Sequence, residues 1–213
     1  MRSILLLLGG AAAALAQPIS FGVKAGVPLT DFVDAVNGSR TSVTTTTNRY
    51  IVGPTVELRL PAGFSVEGDA LYRHFRFNSS ANLLDAILTV NTATGAWEFP
   101  LLLKKKFMHG PIRPFVDAGV SFNKISGASQ TVTSILAPSR ITTTSNSNPP
   151  ELTNDFTTGF TMGGGVDIHA LLIHVTPEIR YTRWSTQNFN TSISGGSLHS
   201  NLSQAEFIVG FTF

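Results

Sequence analysis

The chain has 213 residues, of which 42% are hydrophobic and only 13% charged, with a formal net charge of +2. The length suits one domain, and the mean hydropathy of +0.17 is high for a soluble protein. The small charge imbalance, with no basic cluster interleaved with aromatics, argues against nucleic acid binding, and the lack of cysteine excludes disulfides, thiolate metal sites, a thiol nucleophile and a lipoprotein anchor.

Residues 1–16 have the pattern of a secretory signal peptide. Arg2 precedes an apolar run, and Ala14-Leu15-Ala16 matches an A-x-A cleavage site. We therefore predict cleavage after Ala16 and a mature domain over residues 17–213. No other segment approaches the roughly 20 continuous apolar residues of a transmembrane helix. An exported chain of this hydropathy is then either a soluble barrel or an outer-membrane barrel.

The rest of the chain predicts eight strands joined alternately by short and long connections. Short turns and long loops that alternate without exception put every long loop on one side, as in an eight-stranded antiparallel up-and-down transmembrane β-barrel with periplasmic turns and extracellular loops. The predicted strands are 18–27, 49–60, 63–76, 96–107, 112–124, 157–169, 172–184 and 203–213. The long connections are 28–48, 77–95, 125–156 and 185–202, rich in Ser, Thr, Asn and Gly. Within them, residues 82–90 suggest either a short helical patch or a loop hairpin.

The last strand alternates between an apolar and a polar face. Phe207, Val209, Phe211 and Phe213 share one parity, and Glu206 lies on the other. About ten alternating residues are the length of a strand that crosses a bilayer in a closed barrel. We expect this strand to pair with the first one, which removes the last open edge.

Nearly all ionisable strand residues share the inward parity. A charge on the lipid face near the midplane would cost about 2–4 kcal/mol, whereas in the lumen it can pair with an opposite charge. An eight-stranded barrel is just wide enough to be filled by side chains, so the near-balance of signs predicts a salt-bridged plug rather than a pore. The expected lumen network is Glu57, Arg59, Glu67, Asp69, Arg73, Glu98, Lys104, Arg113, Asp117, Asp167, Glu178, Arg180 and Glu206. Lys24 also falls on this parity, but the expected partners of the carboxylates are the other basic members.

The aromatic residues on the outward parity predict two girdles at the membrane interfaces. The expected lipid-interface aromatics are Tyr50, Tyr72, Trp97 and Tyr181 near the long-loop ends, and Phe64, Phe107 and Phe213 near the short-turn ends. The one basic run, Lys104-Lys105-Lys106, is interpreted as a strand end that reaches the inner interface.

Several segments resemble a known family, the small bacterial outer membrane protein β-barrel domain of OmpA-like and OmpX-like proteins. The motifs that carry the resemblance are residues 98–104, 113–115 with 119–120, 163–167, 177–181 and 207–213. The terminal Phe213 is also similar to the carboxy-terminal signature by which barrel-assembly machinery recognises such proteins. The resemblance implies an outer-membrane location without implying catalysis.

Candidate chemistry is sparse. His199 and Ser200, with Glu206 as orienter, are a conceivable hydrolase set, but adjacent strand residues point to opposite faces. His169 and His174 beside Asp167 fit a structural polar cluster better than a metal site. His74 is interpreted as a rim residue, and glycines 163–165 as a bend with close lumen packing.

We therefore expect no catalytic residue, no cofactor and no metal, and a structural, adhesive or surface-interaction role. The expected partners of the protein are outer-membrane lipid, the assembly machinery through Phe213 and an external partner of the loops. A small-solute channel is the alternative, and a lipid-modifying enzyme is a third.

Overall fold

The computed structural model describes residues 19–31, 33–36, 41–83, 86–108, 110–136, 140–146, 152–170, 173–188, 190–193 and 196–213. The predicted signal peptide and its cleavage after Ala16 lie outside these residues. Strands account for most of the described chain, together with a single-turn 3-10 helix at Pro61–Gly63. In the described residues there is no helix long and apolar enough to span a membrane.

The described residues form thirteen strands, β1 to β13 in chain order. They are β1 (Ile19–Pro28), β2 (Val33–Val36), β3 (Thr41–Arg59), β4 (Phe64–Asp69), β5 (Leu71–Leu83), β6 (Ala86–Lys106), β7 (Ile112–Leu136), β8 (Arg140–Asn146), β9 (Phe156–Ala170), β10 (Ile173–Trp184), β11 (Asn190–Ile193), β12 (Gly196–Ser200) and β13 (Ser203–Thr212). Ala70 separates β4 from β5, and both pair with β3 on one side and β6 on the other. They therefore act as one interrupted barrel strand.

The barrel closes between its first and last strands. β1 pairs antiparallel with β13 from Gly22 opposite Thr212 to Pro28 opposite Glu206, and with β3 on its other edge. The remaining neighbours run β3, β4/β5, β6, β7, β9, β10 and β13 around the ring. The predicted eight-stranded antiparallel barrel and its closure are thus confirmed.

Strands on the long-loop side run well beyond the predicted ends. β3 begins at Thr41 rather than 49, β5 ends at Leu83 rather than 76, β6 begins at Ala86 rather than 96, and β7 ends at Leu136 rather than 124. β5, β6 and β7 pair with one another through this region, and β8 is added to the outer edge of β7. The expectation that these segments are polar loops outside the strands was wrong, because paired backbone satisfies its own hydrogen bonds and Thr favours extended conformations. For residues 82–90 the helical alternative was wrong, and the described residues form the hairpin instead, with Leu83 paired to Ala86.

The parts of β3, β5, β6 and β7 beyond the predicted strand ends, together with β8, are called the extension. Two irregularities in register mark where the barrel passes into it. The β3–β5 pairing shifts between Thr47 and Ile51, and the β6–β7 pairing shifts between Ala93 and Gly95. On β7 the extra residues include Gly127, whose φ of +63° suits a bulge. A separate three-stranded sheet of β11, β12 and β2 lies among the connections on the same side.

Side chains alternate across the barrel wall as the sequence pattern requires. Outward positions carry exposed apolar residues such as Phe21, Leu101, Val116 and Ile179, a surface that only lipid or detergent would cover favourably. Inward positions are mostly buried polar or charged residues. The apolar exceptions among the described residues include a buried cluster of Ile51, Leu71 and Ile208, and Ile208 lies on the same parity of the last strand as Glu206.

Candidate functional site

The lumen contains a central network of six paired charges, formed by Lys24, Glu67, Asp69, Lys104, Glu178 and Arg180. Lys24 Nζ donates to Glu67 and lies 3.2 Å from Asp69 Oδ2 and 3.3 Å from Glu178 Oε2. Lys24 itself is 1% exposed. The alternation on β1 already turned Lys24 inward, but the expected partners of the carboxylates did not include it.

Arg180 binds the same carboxylates from the other side of the lumen. Its Nε lies 2.7 Å from Glu178 Oε1, its Nη1 3.0 Å from Asp69 Oδ2, and its Nη2 3.3 Å from Glu67 Oε1. Lys104 Nζ completes the set at 2.5 Å from Glu67 Oε2. Three cations and three carboxylates from β1, β4, β6 and β10 therefore neutralise one another in the lumen, where an unpaired charge would be very costly.

A second group, the upper cluster, lies nearer the extracellular side. Arg73 forms ion pairs with Glu98 and, at 2.6 Å from Nη2, with Glu206 Oε1, and its Nη1 donates to Gln204 Oε1 at 3.0 Å. Beyond it, the hydroxyl groups of Ser121, Thr161 and Thr182 form a chain of hydrogen bonds at 2.6 and 3.0 Å. The barrel cross-section is thus occupied at successive levels.

A third group, the lower cluster, lies near the periplasmic turns. Lys106 Nζ lies 2.5 Å from Glu57 Oε1 and 3.0 Å from Asp167 Oδ2, and Arg113 Nη2 lies 2.8 Å from Asp167 Oδ2. The His174 Nδ1 atom lies 2.8 Å from Asp167 Oδ1, and its ring stacks on that of His169 with centroids 4.5 Å apart. Of the described residues, no three His, Asp or Glu side chains are grouped so that they could hold a metal ion.

Two members of the expected lumen network, Asp117 and Arg59, have no ion pair among the described residues. Neither oxygen of the buried Asp117 carboxylate has a hydrogen-bond partner among the described residues. Asp117 lies directly across from Lys104 in the β6–β7 register, but Lys104 extends to Glu67 instead. Arg59 likewise has no ion pair within the described chain, because Glu57, two residues earlier on its own strand, is paired with Lys106.

The glycines of β9 make space for the lumen side chains. A Cβ at Gly163 would lie 2.6 Å from Asp117 Oδ1, and one at Gly165 would lie 2.2 Å from the Pro177 carbonyl oxygen and 2.8 Å from Phe115 Cζ. Phe115 is itself buried, with Lys104 Nζ 4.2 Å from its ring centroid. Close lumen packing is therefore the structural role of this segment.

The expected interface aromatics lie on the outer surface at both ends of the barrel wall. Tyr72 and Trp97 face each other on β5 and β6 with ring centroids 5.1 Å apart, and at the other end Lys105 Nζ lies 4.1 Å from the Phe64 centroid. Six of the seven expected interface aromatics are exposed: Tyr50, Trp97, Tyr181, Phe64, Phe107 and Phe213. Tyr72 is half-buried.

The histidines on the extracellular side do not assemble with the residues considered for hydrolysis. Ser200 is buried on β12 beside the half-buried His199, and His199 lies opposite Asp34 of β2. Glu206, the supposed orienter, is bound to Arg73 within the lumen. His74 is half-buried on β5 and lies opposite Gly95.

Comparison with protein families gives the same architecture. The profile of the family described as "Outer membrane protein beta-barrel domain" matches residues 15–185. A search of curated proteins gives no significant match.

Among solved structures, similar chains include OprG from Pseudomonas aeruginosa, with 14% identity and a TM-score of 0.47 over 91% of this chain and 92% of that one. The N-terminal barrel of OprF from the same organism has 14% identity and a TM-score of 0.33 over 91% and 97%. Neisserial surface protein A has 11% identity and a TM-score of 0.35 over 90% and 96%. The family match extends over most of the chain, from the first barrel strand to the end of β10. The chain therefore belongs to the outer membrane protein β-barrel domain family and is a barrel of the bacterial outer membrane.

Proposed function

We propose that this protein is a closed anchor in the outer membrane that presents a polar extracellular surface to an external partner. The observation that carries the proposal is the contrast between the two halves of the molecule. The lumen is filled by paired, buried charges, while β5, β6 and β7 continue as a hydrogen-bonded sheet above it. The extended part of β6, from Ala86 to Ala96, reaches about 33 Å along the strand at about 3.3 Å per residue.

The extension has a surface suited to polar recognition. In the backbone register Thr89, Thr133 and Thr143 lie side by side on β6, β7 and β8, and Asn91, Thr131 and Ser145 form the next row. Residues 141–146 of β8 are all exposed. Rows of hydroxyl and amide groups at strand spacing offer many hydrogen bonds to a polar partner without a strong net charge.

The filled lumen argues against the alternative of a small-solute channel. Arg180 and Lys104 are fully buried among their carboxylates, so an open path would require several ion pairs to separate within the barrel. Single-channel recordings in planar bilayers should therefore give no large, steady conductance. A stable open level in wild-type protein would favour transport over anchoring.

The proposal extends to export and assembly of the protein. We propose that the chain is exported with cleavage after Ala16 and delivered to the barrel-assembly machinery through Phe213. The Phe213 side chain is 69% exposed, and its backbone nitrogen donates to Phe21 O at 2.9 Å, so the ring is accessible while the backbone is held. Deletion of Phe213 should reduce the heat-modifiable fraction in outer membranes, whereas N-terminal sequencing tests the cleavage position.

Binding by the extension is tested with purified protein in nanodiscs applied to arrays of glycans and extracellular-matrix proteins. A Thr143→Glu/Ser145→Glu variant introduces two charges into the outward rows of β8. We expect it to lose any binding that the wild-type protein has, while Pro111→Glu, an exposed change at the periplasmic turn, retains it. Equal binding by all three proteins would contradict a role for the extension.

A further inference from the structure

The periplasmic mouth of the barrel contains a basic cavity that the lumen networks do not account for. It has a volume of about 510 Å³ and lies between the Pro61–Gly63 turn and the start of the β6–β7 connection. Four cationic side chains line it, those of Arg59, Lys105, Lys106 and Arg113. Among the described residues that line it, Glu57 is the one carboxylate.

Two of these four cations are already neutralised. Lys106 is paired with Glu57 and Asp167, and Arg113 is paired with Asp167. The carboxylates of Glu57 and Asp167 therefore neutralise Lys106 and Arg113. The positive charges of Arg59 and Lys105 are not neutralised by them.

Arg59 and Lys105 lack acidic partners among the described residues. Arg59 Nε is buried and donates to no acceptor among the described residues. Lys105 Nζ donates to the Ala62 carbonyl oxygen at 2.6 Å and lies over the Phe64 ring, contacts that hold the ammonium at the cavity without neutralising it. Both side chains line the same cavity, and a guanidinium and an ammonium are the groups that proteins use to bind phosphate.

Part of the cavity lining is an apolar rim of exposed side chains. Phe64, Phe107 and Met108 contribute to its lining and are 39%, 45% and 70% exposed. Lys105 lies on the same outward parity of β6 as Leu101 and Leu103, which are exposed on the barrel wall. A ligand with a phosphate and adjoining acyl chains would satisfy the charge and cover these side chains together.

We infer that this cavity binds the phosphate of an anionic phospholipid from the inner leaflet of the outer membrane. Arg59 and Lys105 bind the phosphate oxygens, and Phe64, Phe107 and Met108 contact the first part of the acyl chains. The short turns lie at the level of the inner-leaflet headgroups, where basic pockets attract anionic lipid. Free inorganic phosphate would satisfy the cations but leave the apolar rim uncovered.

The test measures which lipid stays bound. Protein reconstituted in equimolar phosphatidylglycerol and phosphatidylcholine is released into the gas phase, and retained lipids are counted by native mass spectrometry. We expect phosphatidylglycerol to be enriched on the wild-type protein. Each of Arg59→Gln and Lys105→Gln should lower the enrichment about five-fold, corresponding to about 1 kcal/mol per basic residue at a membrane surface. Lys124→Gln, at an exposed extracellular lysine, should retain it.

Two further arms make the outcome decisive. Inorganic phosphate is titrated into protein in phosphatidylcholine nanodiscs, and the amide resonance of Gly63 is followed. A shift with phosphate but no preference for phosphatidylglycerol would overturn the lipid assignment, as would a preference that survives in the Arg59→Gln/Lys105→Gln protein. Heat-modifiable mobility verifies folding of each variant, and Lys105→Gln alone carries the test if the double variant does not fold.

Discussion

Lys24 on β1 and Arg180 on β10 contact the same three carboxylates, those of Glu67, Asp69 and Glu178. Each of the three carboxylates is shared by both cations. Removal of one cation therefore leaves these carboxylates with too little positive charge to balance them. β10 reaches β1 only through β13, and β4 reaches it through β3. The pairing therefore connects parts of the barrel wall that are not adjacent.

Lys24→Met is expected to destabilise the barrel by about 3–5 kcal/mol, because it removes one partner from a buried ion-pair network and leaves the carboxylates undercompensated. Urea unfolding of the refolded protein in lipid vesicles, followed by tryptophan fluorescence, measures the change. Lys124→Met is the matched control: its pair with Asp155 is exposed on both sides and contributes roughly 0–1 kcal/mol. Similar midpoints for the two variants would contradict the central role of Lys24.

Asp117 and Glu67 are expected to respond in opposite ways to neutralisation. Asp117→Asn removes a buried charge whose oxygens have no hydrogen-bond partner among the described residues, so stability should be unchanged or higher. Glu67→Gln takes a carboxylate from Lys24, Lys104 and Arg180, and should cost about 3–5 kcal/mol. The same urea experiment applied to both variants tests the contrast. A strongly destabilised Asp117→Asn protein would mean that this carboxylate has a partner after all.

The sequence was sufficient to predict the barrel because lipid and lumen impose opposite polarities on alternate residues. That alternation placed Glu67, Lys104 and Arg180 inward and fixed the eight strands. It did not identify Lys24 as the partner of Glu178, since those residues are 154 positions apart and meet across the lumen only once strand order and stagger are known. The lack of a partner for Asp117 was equally hidden in the sequence, because Lys104, the residue opposite it in register, binds Glu67 instead.

The extracellular extension was missed for a different physical reason. Above the membrane both faces of a strand meet water, so Thr131, Thr133 and Thr143 carry no apolar alternation that would separate strand from loop. Their pairing is set by the hairpin between β5 and β6 and by the bulge at Gly127. Composition alone is compatible with either structure.

Gly165→Ala is expected to impair folding, whereas Gly68→Ala is tolerated. The new methyl group at position 165 would lie 2.2 Å from the Pro177 carbonyl oxygen, a backbone atom that cannot move without disturbing the β9–β10 pairing. At position 68 the nearest atom is Val56 Cγ1 at 3.8 Å, an ordinary contact. The folded fraction after refolding, read from heat-modifiable mobility, should fall for the first variant alone. Full refolding of both variants would show that the backbone at Pro177 can shift enough to accommodate a methyl group at position 165.

Thr133→Pro is expected to disrupt the extension while the barrel stays folded. Thr133 lies between Thr89 on β6 and Thr143 on β8, and a proline there removes a backbone donor from the middle strand of three. The bulge at Gly127 separates this region from the lumen networks, so the loss of pairing should stop there. Hydrogen exchange should accelerate for residues 129–136 and 140–146 but not for 112–124, with unchanged heat-modifiable mobility. Thr133→Ser, which keeps the backbone donor, should exchange like wild type. Faster exchange throughout β7 in the proline variant would mean that extension and barrel fold as one unit, and would remove the basis for treating the extension as a separate recognition surface.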